Sequence, residues 1–125
     1  MTVVVTQLHN SLATSLILFM LVCGVWGFVS AFRGGMSGSF TGALFIGEGL
    51  IIVQGLLGVA SYLLGYAPSQ GLHFLYGLTA AVTFPGVYSF VRGRSSESQA
   101  LWFGAGALFI VGLAIRGIIT GRGGA

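Results

Sequence analysis

Four long apolar segments, separated by three short breaks, make up nearly all of this chain. The segments cover about residues 8–32, 40–64, 71–91 and 99–119. An α-helix needs about 20 residues to cross a hydrocarbon core of about 30 Å, and every segment is long enough to do so. The pattern therefore predicts four transmembrane helices in a single integral membrane domain, residues 1–125, embedded in the lipid bilayer.

Composition agrees with a membrane protein and removes several kinds of chemistry. Hydrophobic residues make up 55% of the chain, charged residues 6%, and the mean hydropathy is +0.98. The net charge is only +3, and the arginines lie where predicted loops meet the membrane, so nothing supports nucleic-acid binding. The chain has no Asp, no Lys and a single cysteine, Cys23. Thiolate zinc sites and covalent c-type heme attachment are therefore excluded.

The arginines also predict an orientation in the cell (inner) membrane. Arg33 lies in the first break and Arg92 and Arg94 lie in the third, whereas the second break carries no charge. The positive-inside rule places the first and third loops in the cytoplasm and both termini outside. Arg116 and Arg122, at the end of the last segment, favour the opposite orientation.

Two features recur at a separation of 64 residues. The string Gly42–Ile46 recurs as Gly106–Ile110, and the only two histidines, His9 and His73, have the same separation. We therefore expect an all-α four-helix bundle built from a tandem two-helix repeat. Because each repeat has two helices, both copies cross the membrane in the same sense, and both histidines lie near the same, outer face.

Two equivalent histidines indicate a metal held between the two repeats. A neutral imidazole ligates heme iron, and two on opposite sides of one ring give a six-coordinate centre suited to electron transfer. Small residues follow each histidine on the same helical face: Ala13 one turn after His9, and Gly77 and Ala80 one and two turns after His73. They leave space for a flat macrocycle. Heme b is the predicted cofactor, and bacteriochlorophyll, whose magnesium takes a single histidine, is the alternative.

Two charged residues could serve this site or another one. Arg116 is predicted at the depth of the histidines and suits a heme propionate, although it could instead extend to the lipid headgroups. Glu48 lies inside the second segment, and an intramembrane carboxyl indicates a functional site by default. It could carry protons, bind a quinone or a cation, or form a hydrogen bond to a neighbouring helix.

Short motifs around the histidines resemble the heme A synthase family. Val53–Gly58, followed by a loop and Gly71–His73, resembles a helix pair of that family, and Gln7–His9 resembles its other histidine helix. The resemblance implies a four-helix half that holds one heme between its two histidines near the outer face. The synthases have a glutamate one turn before the first ligand, where this chain has Thr6. The resemblance therefore implies the heme-binding scaffold without the synthase activity.

The sequence thus predicts a small membrane b-type cytochrome with no catalytic activity of its own. One heme at one face of a core of about 30 Å cannot carry electrons across it. We therefore expect an electron-transfer or anchoring subunit of a larger respiratory or photosynthetic complex, with a redox partner that could include a quinone. The alternatives are a proton-coupled exporter of the small multidrug resistance type that uses Glu48, and a cofactor-free accessory subunit.

Overall fold

The computed structural model describes residues 2–68 and 71–122. This part of the chain contains four α-helices: α1 (Thr2–Ala31), α2 (Gly38–Leu63), α3 (Leu72–Val91) and α4 (Ser96–Arg122). All four are long and apolar enough to cross a membrane. The predicted all-α fold with four transmembrane helices is therefore confirmed, and the protein is a multi-pass membrane protein.

Three of the helices begin before the apolar segments that predict them, whereas α3 begins at Leu72. Helix α1 begins at Thr2, and α4 runs from Ser96 to Arg122. Helix α2 begins two residues earlier than expected, where the Ser37 side chain accepts a 3.1 Å hydrogen bond from the amide of Phe40. This N-cap fixes the first turn of α2.

Each helix packs against two neighbours in a ring, and the helices on the diagonals, α1 with α3 and α2 with α4, make no close backbone contact. Helices α1 and α4 make the most extensive contact, whereas α2 and α3 make the sparsest one. Glycines explain the close contact: a Cβ on Gly27 would lie 2.5 Å from the Cα of Gly104. Small residues allow such close approach between membrane helices.

The buried apolar core fills only one half of the bundle. We call this half, which contains the loops with Arg33, Arg92 and Arg94, the arginine end. The other half, which contains the start of α1, the α2–α3 loop and the end of α4, is the histidine end. The core residues lie between the arginine end and the middle of the bundle: Leu16, Met20, Cys23, Phe40, Ala43, Leu44, Ile51, Ala80, Phe84, Val91, Ala100, Phe103, Ala107, Ile110 and Val111. Of the described side chains in the histidine end, only Ser61 and Thr120 are buried.

The tandem repeat is visible in the burial pattern, with a change of register. Buried positions in α1 and α3 correspond at a separation of 64 residues, as in Leu16 and Ala80. In α2 and α4 they correspond at 63 residues, as in Phe40 and Phe103, because corresponding buried positions are one residue closer together along the chain from α3 to α4 than from α1 to α2. The repeated pentapeptide is therefore out of spatial register by one residue: Gly42 faces outward and Gly106 is buried.

Candidate functional site

The two histidines meet in the interior of the bundle. Their ring centroids lie 6.0 Å apart, and the ring planes cross at 70°. Because α1 and α3 are diagonal to each other, the two imidazoles reach towards each other from opposite sides of the interior. The structure therefore brings together His9 and His73, the two ligands that the sequence predicts.

Each imidazole is held by a backbone carbonyl of the helix that follows it. Nδ1 of His9 lies 3.1 Å from the carbonyl oxygen of Gln54, and Nδ1 of His73 lies 2.7 Å from that of Gly117. A carbonyl only accepts hydrogen bonds, so Nδ1 of each ring donates, and Nε2 is left with its lone pair. Within the described residues neither Nε2 has a hydrogen bond. Metal-ligating histidines have this arrangement, in which the second nitrogen fixes the tautomer and the ring orientation.

A glycine supports each ring one helical turn after the carbonyl acceptor. A Cβ on Gly58 would lie 3.0 Å from Cε1 of His9, and a Cβ on Gly121 would lie 3.1 Å from Cε1 of His73. Any larger residue would push the imidazole out of place. Neither glycine stands out in the sequence, although their separation of 63 residues matches that of the two carbonyl acceptors.

The spacing of the rings suits a single metal between them. A metal–imidazole bond is about 2 Å long, so the ring centroid lies about 3 Å from the metal and two opposed rings lie about 6 Å apart. The observed centroid distance is 6.0 Å. The 70° angle is compatible with this geometry, because each ring can rotate about its own metal–nitrogen bond. The spacing of the two rings is therefore compatible with one metal between them.

The predicted small residues lie on the helices beside the ring pair. Ala13 is half-buried, Ala80 is buried, and Gly77 is exposed, with open space where a Cβ would be. Of the described side chains in the histidine end, none that is apolar and large is buried. The fully buried large apolar residues of the core are therefore confined to the part of the bundle away from the imidazoles.

Unpaired buried polar atoms gather on the His9 side of the site. Nε2 of Gln54 donates to the carbonyl of His9 at 2.8 Å, so this amide joins α1 to α2. The amide oxygen of Gln54 and the hydroxyls of Thr6 and Ser61 are buried without a hydrogen-bond partner in the described structure. Each such atom costs about 1–3 kcal/mol. A polar substituent of a bound group would find hydrogen-bonding partners on this side.

Arg116 lies at the depth predicted for it. It directly precedes Gly117, whose carbonyl holds His73, and its guanidinium lies 6.0 Å from the ring centroid of Tyr76. The side chain is exposed and forms no ion pair within the described residues. A guanidinium at this depth can pair with a carboxylate that projects from the site.

Glu48 is not part of this site. It lies six residues before Gln54 in α2, which is about 9 Å along the helix axis towards the arginine end. Its Oε1 is buried and has no hydrogen-bond partner in the described structure. The structure therefore separates the carboxyl from the histidine pair.

Across the described part of the chain, no three His, Cys, Asp or Glu side chains come together. Two protein ligands are the number that a metal held in a macrocycle needs on its two axial sides. Comparisons with protein-family models, curated proteins and solved structures find no match for this chain.

Proposed function

We propose that this protein is a small membrane b-type cytochrome that binds one heme b between His9 and His73. The observation that supports the proposal most strongly is the matched pair of imidazoles. Both rings donate Nδ1–H to a backbone carbonyl, both lie against a glycine, and their centroids are 6.0 Å apart. This arrangement leaves two Nε2 atoms for the two axial positions of one iron.

The chain's own residues account for how such a group would be held. The iron of a bound heme b supplies one-electron redox chemistry. His9 and His73 would hold the iron through their Nε2 atoms, and two protein ligands would keep small molecules such as carbon monoxide from it. Ala13, Gly77 and Ala80 leave the faces of the ring free of bulky side chains. The role that we propose for the chain alone is to hold the heme, with no catalytic activity of its own.

Arg116 would neutralise a heme propionate. Its guanidinium is exposed at the depth of His73, so it can form a hydrogen-bonded ion pair with a carboxylate near the membrane surface. A positive charge at this place favours the reduced form of the site, whose iron carries one positive charge less. Arg116 therefore acts on the redox potential and not on axial ligation.

The arginine distribution supports a site at the outer face of the cell (inner) membrane. Arg33, Arg92 and Arg94 belong to the end opposite the histidines, and the positive-inside rule puts that end in the cytoplasm. A single heme at the outer face cannot move electrons across a core of about 30 Å. We infer that the protein exchanges electrons with a redox partner in a larger respiratory or photosynthetic complex, or with a quinone.

The visible absorption spectrum of the purified protein tests the proposal. We expect a reducible b-type spectrum that carbon monoxide does not change, and its loss or strong alteration in His9→Ala and in His73→Ala. Asn10→Ala, next to His9 but exposed, is the matched control and keeps the spectrum. A bacteriochlorophyll protein has a different pigment spectrum, and an exporter or accessory subunit is colourless. A colourless protein from a host with ample heme would overturn the proposal, as would a b-type spectrum that survives both histidine substitutions.

A further inference from the structure

An open groove runs between α3 and α4 in the arginine end of the bundle. Its volume is about 530 Å³, and it is lined by residues from the second half of α3 and by the facing residues of α4, from Trp102 to Phe109. The only hydroxyl in its lining belongs to Thr83, and this hydroxyl already donates to the carbonyl of Thr79 at 2.7 Å. The groove therefore suits a hydrocarbon chain.

A glycine keeps the α3 side of the groove open. Gly86 is exposed, and a Cβ built on it would meet nothing within 4 Å. In the first repeat, the position that corresponds to Gly86 is Val22, 64 residues earlier, and the position that corresponds to Trp102 is Ser39, 63 residues earlier. Of the two repeats, the second therefore has the glycine and the indole that shape this groove.

Two aromatic rings and an arginine form the mouth of the groove. The ring centroids of Phe90 and Trp102 lie 4.9 Å apart, and the guanidinium of Arg94 lies 4.3 Å from the centroid of the Phe90 ring. Nε of Arg94 also donates to the carbonyl of Phe90 at 3.4 Å. A cation is attracted to the face of an aromatic ring at this distance. A positive charge is therefore held where the groove opens towards the membrane surface.

This charge is not neutralised by the described part of the chain. Arg92 and Arg94 are both exposed, and neither forms an ion pair within residues 2–68 and 71–122. The nearest acidic residue in the sequence is Glu97, which lies about 140° around α4 from Trp102 and so faces away from the groove. Two exposed cations beside an apolar groove complement an anionic headgroup that carries acyl chains.

Trp102 adds a hydrogen-bond donor closer to the middle of the membrane. It lies in the second turn of α4 and is 42% exposed, and its indole N–H has no acceptor within the described residues. Tryptophan is enriched at the depth of the lipid headgroups, where the indole N–H can donate to an ester carbonyl. From the membrane surface inwards, the groove thus offers two cations, one N–H donor and an apolar floor.

We propose that one anionic phospholipid binds in this groove, with its phosphate between Arg92 and Arg94, a glycerol ester carbonyl at Trp102 and an acyl chain over Gly86. The two arginines repel the cationic group of a zwitterionic headgroup and attract a headgroup with a net negative charge. The site lies in the arginine end, away from the histidine pair. Lipid binding is therefore independent of heme binding.

Native mass spectrometry of the detergent-solubilised protein with added phosphatidylglycerol or phosphatidylcholine tests this proposal. We expect the wild type to retain one phosphatidylglycerol and to bind phosphatidylcholine about fivefold more weakly or worse. Arg94→Gln should weaken phosphatidylglycerol binding by about fivefold, since a basic residue near the membrane surface contributes about that factor. Gly86→Leu fills the groove and should abolish binding. The matched controls, which should keep the lipid, are Arg33→Gln in the α1–α2 loop and Gly42→Leu at an open glycine of α2.

Tryptophan fluorescence in lipid vesicles gives a second readout that does not depend on detergent. The chain has two tryptophans, so Trp26→Phe leaves Trp102 as the only one, and Trp102→Phe leaves Trp26 as the matched control. At an equal fraction of brominated lipid, brominated phosphatidylglycerol should quench Trp102 more strongly than brominated phosphatidylcholine does. Arg94→Gln should reduce this difference, and Trp26 should show no preference.

Equal quenching of Trp102 by the two lipids would overturn the proposal and leave the groove to bulk lipid or to a helix of a partner protein. Retention of phosphatidylglycerol by both Arg94→Gln and Gly86→Leu at the level of the wild type would overturn it as well. The absorption spectrum reports the heme site separately in every variant.

Discussion

Replacing Gly58 by alanine tests how closely the His9 ring is held against α2. The new Cβ would lie 3.0 Å from Cε1 and 3.6 Å from Nδ1 of His9. Ordinary carbon contacts are about 3.5–4.0 Å, so the ring must move away from α2 by about 0.5 Å. The hydrogen bond from Nδ1 to the carbonyl of Gln54 is already 3.1 Å long, and this movement lengthens it further. Losing it costs about 0.5–1.5 kcal/mol, or about 2- to 13-fold in heme affinity.

The assay is the rate of heme transfer from each variant to an excess of a heme-scavenging apoprotein. Gly55→Ala is the matched control, because it lies one turn earlier on α2 and its Cβ would meet nothing within 4 Å. Both substitutions raise helix propensity by about 1 kcal/mol, so neither should lower the thermal stability of the bundle. Only Gly58→Ala should speed heme release. Equal release rates for the two variants would show that Gly58 does not position the His9 ring.

Three further predictions concern charge, orientation and packing. Arg116→Gln removes a positive charge beside the site, so it should lower the midpoint potential by an amount on the order of tens of millivolts and leave the absorption spectrum unchanged. A redox titration in which the potential rises would contradict the propionate pairing. Ala67→Cys and Ser95→Cys change exposed residues at opposite ends of the bundle. An impermeant maleimide added outside intact cells should react with Ala67→Cys and not with Ser95→Cys. The reverse result would place the histidines at the cytoplasmic face. Gly27→Ala would put a Cβ 2.5 Å from the backbone of Gly104. It should therefore destabilise the bundle by about 1–3 kcal/mol. A melting temperature equal to that of the wild type would argue against the close α1–α4 contact.

The fold and the histidine pair could be predicted because both follow from the spacing of residues along the sequence. Long apolar runs predict membrane helices, and two histidines at one separation predict equivalent positions in a repeat. The 3.6-residue period of the helix also placed small residues such as Ala80 on the faces that carry the histidines. These inferences need only the spacing of residues along the chain.

The register of the repeat and the supports of the rings were not predictable in this way. The strings that begin at Gly42 and Gly106 match in sequence but not in position in the bundle. Corresponding positions are one residue closer along the chain from α3 to α4 than from α1 to α2, and one residue rotates the buried face of a helix by about 100°. Gly58 and Gly121 do not stand out in a chain with 22 glycines. Backbone carbonyls as acceptors leave no trace in the sequence, because every residue has one.

Electron paramagnetic resonance of the oxidised, purified protein tests the central claim most directly. If His9 and His73 ligate one heme iron, the wild type should give a low-spin ferric signal from one heme per chain. Its g values should be strongly anisotropic, as expected for imidazole planes that cross at 70°. His73→Ala should convert the signal to a high-spin one or abolish it. The absence of a ferric heme signal in wild type made with ample heme would contradict the account, and so would a high-spin signal from a heme with one protein ligand.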